Sequence, residues 1–279
     1  MNTSNQTYKE LAIPYFKESF GCIDEVMREL NIPYYLIGVS AIALELLKEG
    51  IKPSRGTKDI DFAVMISSMT EYEQISVALA TKGFNKVAAP WTFYSAIFKV
   101  VIDVLPFGEI EENYTANFNE RYTDLHILGF REVMEEAVPV QIEEKIVNIP
   151  PLEGMVILKL IAWSDRPEER ENDLSDILKI IEHYYALKWD EIVEIHYDTL
   201  DIEPFDQKII AAEVLGRNAK LYLNKSKAIS ERILKVLETN LQDATKSAIA
   251  KEWARKLDVD IEYAFALLTC FQKGITHAV

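Results

Sequence analysis

Two aspartates stand one residue apart in Thr57-Lys58-Asp59-Ile60-Asp61-Phe62-Ala63-Val64. Side chains alternate across a strand, so Asp59 and Asp61 share one face while Ile60 and Phe62 take the other. Side-by-side carboxylates repel and burial desolvates them; a cation between them relieves both effects. Aspartate is also a poor strand former, so two in one short strand call for a cause unless the strand lies at a sheet edge open to water. A third acid shifts the balance. In Val100-Val101-Ile102-Asp103-Val104-Leu105, Asp103 is the only polar residue of an apolar run, where an unpaired buried carboxylate is costly. Three hard oxygen donors suit magnesium, or manganese, with water and substrate phosphates completing the shell.

Gly38-Val39-Ser40 precedes these acids, between a short apolar run and a helical pattern. The backbone N–H groups and dipole at such a helix start favour a phosphate. The simpler roles are a turn at Gly38 and an N-cap at Ser40. In chain order the constellation is a small-residue turn, a helix, a strand with paired acids and a strand with a third.

The elements that must hold these residues follow from periodicity. Apolar spacing predicts an opening helix over 8–30, ended by Asn31-Ile32-Pro33, then a strand at 34–37, a turn at 38–40 and a helix over 41–49 closed by Gly50. A loop at 53–57, a strand over 58–66 and a helix over 69–82 stopped by Gly83 come next. Two apolar runs within 93–105 predict an antiparallel pair or one bent strand, and 138–149 a late strand or hairpin. Beyond Pro150-Pro151 the pattern is helical, at 152–163, 174–185, 228–241, 244–257 and 261–271. The expectation is an α+β chain: a mixed sheet with flanking helices over 1–149, and a helical domain over 150–279.

Composition limits the options. At 279 residues and 49% hydrophobic content the chain can bury a sizeable core. It has no run of about 20 apolar residues and begins with a polar stretch, which predicts a cytoplasmic protein with no membrane span. Cys22 and Cys270 carry no metal or disulfide spacing and are expected in the core; the four histidines are scattered. A net charge of −15 argues against a phosphate backbone as partner, but ten basic residues against four acidic ones between Gly216 and Leu257 make that tract locally positive. It is either a set of solvated helix faces or an acceptor-binding surface.

The order Gly38-x-Ser40, Asp59-x-Asp61 and Asp103 resembles the pattern of the DNA polymerase beta nucleotidyltransferase superfamily. Neighbouring residues narrow the resemblance to bacterial nucleotidyltransferases of the AbiEii type, which include toxins of toxin–antitoxin and abortive-infection systems. In the helical half, Leu158-Lys159-Leu160-Ile161-Ala162-Trp163-Ser164-Asp165-Arg166 and Arg170-Glu171-Asn172-Asp173-Leu174-Ser175-Asp176-Ile177 are similar to that family's Lys-containing helix and its Arg-x-Lys-Asp-x-x-Asp-Leu segment. Asn172 stands where the family has lysine. The resemblance covers roughly 35–185.

It implies a polymerase beta-like mixed sheet and transfer of a nucleoside monophosphate from an NTP to a hydroxyl. Asp59, Asp61 and Asp103 would serve as metal-binding catalytic acids, with Gly38, Ser40, Thr57, Lys58 and Lys159 at the nucleotide, and Arg166, Asp173 and Asp176 at the acceptor or in support. It further implies an RNA acceptor such as a tRNA 3' end, and an antitoxin partner. From the residues alone, Lys159 either snorkels to the surface or meets an anion, and Asp173 and Asp176 suit a helix start merely by its dipole. Two rivals stand beside this reading. A cationic small molecule, aminoglycoside-like, or a protein hydroxyl would suit the chain's acidity as acceptor. A non-catalytic nucleotide-binding module would have no need of three strand aspartates.

Overall fold

The computed structural model describes residues 11, 15–48, 50–52, 59–87, 89–118 and 124–277. Thr57 and Lys58, with the loop before them, lie outside the described residues. The chain divides into two compact units, 1–151 and 152–279.

The first unit is built on a seven-stranded mixed sheet. Its strands are β1 (Tyr34–Ile37), β2 (Asp59–Ile66), β3 (Phe84–Lys86), β4 (Thr92–Ser95), β5 (Val100–Gly108), β8 (Val138–Ile142) and β9 (Lys145–Ile149), in the order β3-β4-β5-β2-β1-β9-β8. β2 runs parallel to β5 and antiparallel to β1, so the strand with the paired aspartates lies between the strand with the third and the strand that leads into Gly38. A separate pair, β6 (Thr115–Asn117) and β7 (Asp124–His126), forms a small second sheet. The α+β class and the mixed sheet with flanking helices are as expected, and the two runs of 93–105 form the antiparallel pair β4–β5.

Alternation on β2 sorts its faces. Ile60, Phe62 and Val64 are wholly buried, and Phe62 stacks on Phe20 of α1 (Phe16–Glu29) at 6.3 Å. That helix presents Phe16, Phe20, Ile23, Val26 and Met27, a stripe at helical spacing. Within it Asp24 is 2% exposed, and it is bonded to Tyr34 Oη at 2.7 Å, to Arg28 at 2.9 Å and to Lys145. Burial pushes the Asp24 carboxyl up, but the Lys145 and Tyr34 bonds and the nearby Arg28 outweigh it and hold it below the usual carboxylate range. α3 (Met69–Thr81) starts at a Ser68 cap, and its Tyr72 hydroxyl donates to the Val104 carbonyl at 2.9 Å, tying it to β5.

The turn expected at 38–40 is absent: α2 (Gly38–Leu47) follows β1 without a loop. Gly38, at φ +66, makes the reversal in one residue, a conformation that glycine adopts without a Cβ penalty. α4 (Phe130–Met134) then leads into the β8–β9 hairpin.

The second unit is helical: α5 (Leu152–Asp165), α6 (Glu171–Leu187), α7 (Trp189–Ile195), α8 (Gln207–Lys225), α9 (Lys227–Asn240), α10 (Ala248–Leu257) and α11 (Ile261–Thr276). α8, which periodicity did not reveal, is its axis; Ile209 to Gly216 are consecutively buried, and α5, α6, α9 and α11 all pack on it. Its crossing with α11 is tight. A Cβ on Gly216 would meet the Phe271 carbonyl at 2.2 Å, and one on Gly274 the Glu213 carbonyl at 2.0 Å. The helix expected from residue 244 begins at Ala248, because Ser247 caps it and the Asn240 side chain takes the Ala248 and Ile249 N–H groups. The two cysteines are half-buried free thiols rather than core groups.

Candidate active site

Strand register decides which acids can cooperate. Asp61 of β2 is the Cα partner of Asp103 on the parallel strand β5 and of Ile37 on β1. Partnered residues on neighbouring strands project to the same face roughly 5 Å apart, so the Asp61 and Asp103 side chains are direct neighbours. Asp59, two residues earlier on β2, shares that face. Asp61 and Asp103 are half-buried and Asp59 is exposed.

Asp103 is further fixed from the third strand: Thr92 of β4, its Cα partner there, donates its hydroxyl to Asp103 Oδ1 at 2.6 Å. Nearby, burial pushes the Tyr72 phenol well above its ordinary value, with the Asp103 charge acting in the same direction. Thr92 was not singled out from sequence; only the β4–β5 pairing register could have pointed to it.

Gly38 follows Ile37, so α2 begins beside Asp61. The approach is close enough that a Cβ at Gly38 would sit 2.1 Å from Asp61 Oδ2. The missing side chain is thus the space the carboxylate uses. No side chain caps the start of α2, so the first N–H groups there are not satisfied by a capping residue. Ser40, 1% exposed, has an Oγ without a hydrogen-bond partner. Buried hydroxyls are usually paired, and this one lies within the first turn of a helix whose dipole favours anions.

The three acids share a face without forming a ready cage: among the described residues no group of three or more His, Cys, Asp or Glu side chains is gathered closely enough to hold a metal alone. Asp59 is the first residue of its strand and open to solvent. The donor set still fits a hard divalent ion. Magnesium takes one or two carboxylates and completes its shell with water and substrate phosphates rather than using an all-protein cage.

In the helical unit, Lys159 of α5 meets an anion. Its Nζ donates to Asp173 Oδ1 and to Asp176 Oδ2, each at 2.8 Å, and all three side chains are 11% exposed. Burial pushes the ammonium down, but the two carboxylates prevail and hold it above the ordinary lysine value. Lys159 is thus held by carboxylates of the neighbouring helix. Asp173 Oδ2 has no hydrogen bond, with Arg170 approaching only to 3.9 Å. Arg166, half exposed, lies 3.6 Å from Glu169.

The basic tract is largely spoken for. Arg217 bonds Asp198 and Glu213, Lys220 the His277 carbonyl, and Arg232 Asp165; Lys227, Lys246, Arg255 and Lys256 pair with Glu231, Asp243 and Glu252. A cavity of about 720 Å³, lined by Tyr35, Met65, Phe107 and Arg131 among others, opens at the carboxyl ends of β2 and β5. Ile66 lies five steps along β2 from Asp61, roughly 17 Å, while Tyr35, which pairs with Ala63, brings the near wall of the cavity within two residues of Asp61 in register.

No family model matches the chain, and no curated protein does. Solved structures similar to it include ANT(2")-Ia in complex with adenylyl-2"-tobramycin (14% identity over 57% of this chain and 84% of that one, TM-score 0.40). An antigenic nucleotidyltransferase-like protein from Paracoccidioides brasiliensis is 13% identical over 70% of this chain and 92% of that one, at TM-score 0.40. JHP933 from Helicobacter pylori is 16% identical over 83% and 99%, at TM-score 0.28. Likenesses this slight carry no weight on activity, which must come from the residues themselves. No described helix is long and apolar enough to cross a membrane.

Proposed function

We propose that the chain is a divalent-metal-dependent nucleotidyltransferase that moves a nucleoside monophosphate from an NTP to an acceptor hydroxyl and releases pyrophosphate. The observation that supports it best is the in-register pair Asp61–Asp103, with Asp59 on the same face, set against the glycine that opens α2. Asp59, Asp61 and Asp103 are the residues to hold Mg²⁺ or Mn²⁺, which when bound neutralises triphosphate charge and stabilises the entering and leaving oxygens of the displacement. The N–H groups at the start of α2 take phosphate oxygens, and the Ser40 hydroxyl, lacking any protein partner, donates to one of them. Asp103, steadied by Thr92, accepts the proton of the acceptor hydroxyl as the new P–O bond forms. Lys159 acts at one remove in this scheme, locking α5 to α6.

For the acceptor, charge favours a group outside a phosphate backbone. Most cations of the 217–256 tract already have protein partners, which leaves Lys235 and Lys251 as exposed ones without a partner among the described residues, and the whole chain carries −15. A cationic small molecule or a protein hydroxyl suits that balance better than a tRNA 3' end. The toxin role, the AbiEii affiliation and an antitoxin partner rest on the sequence resemblance alone.

The test is to incubate the protein with each α-labelled NTP and Mg²⁺ or Mn²⁺, against RNA, protein and aminoglycoside acceptors. Label should pass to one acceptor class and fall at least about a hundredfold in Asp61→Asn. Full transfer by Asp61→Asn would end the proposal.

A further inference from the structure

Between Tyr185 and Phe205 the helical unit turns outward side chains of the kind that usually face in. Trp189 is 45% exposed, Ile195 65%, Tyr197 66% and Phe205 57%, and Val193 lies one helical turn beyond Trp189. Part of this is one continuous surface. The Tyr185 ring lies 5.4 Å from Trp189 and meets Phe205 edge-on at 6.1 Å, so the end of α6, the start of α7 and the segment before α8 contribute to a single aromatic cluster. The internal packing of α7 does not use these residues; its buried anchor is Ile192. Contiguous exposed apolar surface rimmed by polar residues marks an interaction site more often than a scatter of single side chains does.

The rim is acidic. Asp190, Glu194, Asp201 and Glu203 are exposed and have no ion-pair partner among the described residues. The other acids of the stretch are committed: Glu191 to Lys188 and Asn218, Asp198 to Arg217, and Asp206 to the amino end of α8. Lys188 is the only Lys or Arg from residue 185 to residue 206, and it is shared between Glu153 and Glu191.

That charge selects the occupant. A second copy packed symmetrically would bring these carboxylates against their own images, in a chain that already carries −15. Nucleic acid and anionic lipid are repelled for the same reason. We propose that the Tyr185–Phe205 face docks a polypeptide segment of a partner protein in which Lys or Arg residues surround an aromatic or aliphatic anchor. The anchor seats on the Trp189–Tyr185–Phe205 cluster and the cations meet the four unpaired carboxylates, an arrangement in which aromatic groups supply affinity and rim charges supply selectivity and encounter rate.

The probe is a displayed library of random peptides, selected on the full chain at physiological ionic strength. Binding of enriched peptides is then measured on wild type, on Trp189→Ala/Phe205→Ala and on Glu194→Lys/Asp201→Lys. These positions are exposed, and thermal unfolding of each variant checks that the fold persists. The expected result is enrichment of net-positive peptides with an apolar anchor. Their affinity should fall at least about tenfold in the aromatic variant and severalfold in the charge variant, the second loss shrinking with added salt. Three results overturn the proposal: no enrichment, enriched peptides that bind the aromatic variant as well as wild type, or self-association of the chain that the aromatic variant abolishes.

Discussion

Gly38→Ala isolates what the site demands of its backbone, and Gly50→Ala is its control. Both glycines have positive φ, +66 and +71, so either alanine meets a left-handed conformation that costs about 1–2 kcal/mol in an L residue. There the likeness ends. A Cβ at Gly50 has nothing within 4 Å, whereas one at Gly38 falls 2.1 Å from Asp61 Oδ2 and 3.0 Å from its Cγ. The carboxylate must retreat by more than 1 Å to reach the 3.4 Å of ordinary contact, and forced overpacking of this kind adds about 1–3 kcal/mol. Gly50→Ala should therefore lose about 1–2 kcal/mol in urea unfolding and keep its chemistry. Gly38→Ala should lose roughly 2–5 kcal/mol and, in its folded fraction, about a hundredfold in nucleotidyl transfer, the scale of a 1 Å misplacement at a reacting centre. Equal stability losses in the two variants, or undiminished transfer by folded Gly38→Ala, would refute the role given to the Gly38–Asp61 contact.

Three further predictions concern the scaffold. Lys159→Met leaves Asp173 and Asp176 buried without their cation and should cost about 3–5 kcal/mol in urea unfolding. Because the folded Lys159 value is raised, its stabilisation is fully present below the unfolded lysine value of about 10.4 and is lost as pH rises through the folded one. For Asp24 the sign reverses: its folded value is depressed, so its contribution is present above the unfolded value of about 3.9 and fades as pH falls through the folded one. The stability gap between wild type and Asp24→Asn should narrow as unfolding is measured from about pH 6 down to about pH 3. Gly216→Ala or Gly274→Ala forces α8 and α11 apart and should lower the thermal midpoint sharply, each by the equivalent of at least about 1–3 kcal/mol.

Local pattern made some of this legible and hid the rest. β1 could be read because an apolar run is bounded by Pro33 and Gly38, and β2 because acids and apolar residues alternate over Asp59 to Phe62 before the run turns apolar. α8 could not, since Ile209 to Gly216 are buried on every side and leave no 3.6-residue stripe to find. The start of α10 was misplaced because Ser247 caps it and the Asn240 side chain, beyond the reach of a helical repeat, takes the Ala248 and Ile249 N–H groups. At the site, the alternation of Asp59 and Asp61 and the isolation of Asp103 were evident from spacing. Their cross-strand pairing, the Thr92 bond and the space that Gly38 yields to Asp61 all belong to register, which a one-dimensional pattern does not contain. Lys159 shows the same limit. Spacing left open whether it reaches the surface or meets an anion, and its bonds to two aspartates on the next helix required the packing of α5 on α6.

The most direct test is electron paramagnetic resonance of Mn²⁺ titrated into the protein with each NTP, for wild type, Asp61→Asn and Asp103→Asn. Wild type should take up Mn²⁺ together with one nucleotide, and each variant should require at least about tenfold more metal, the scale of a lost carboxylate contact. Equal uptake by all three proteins, or none by wild type, would contradict a metal-bound nucleotide held where β2, β5 and the start of α2 meet.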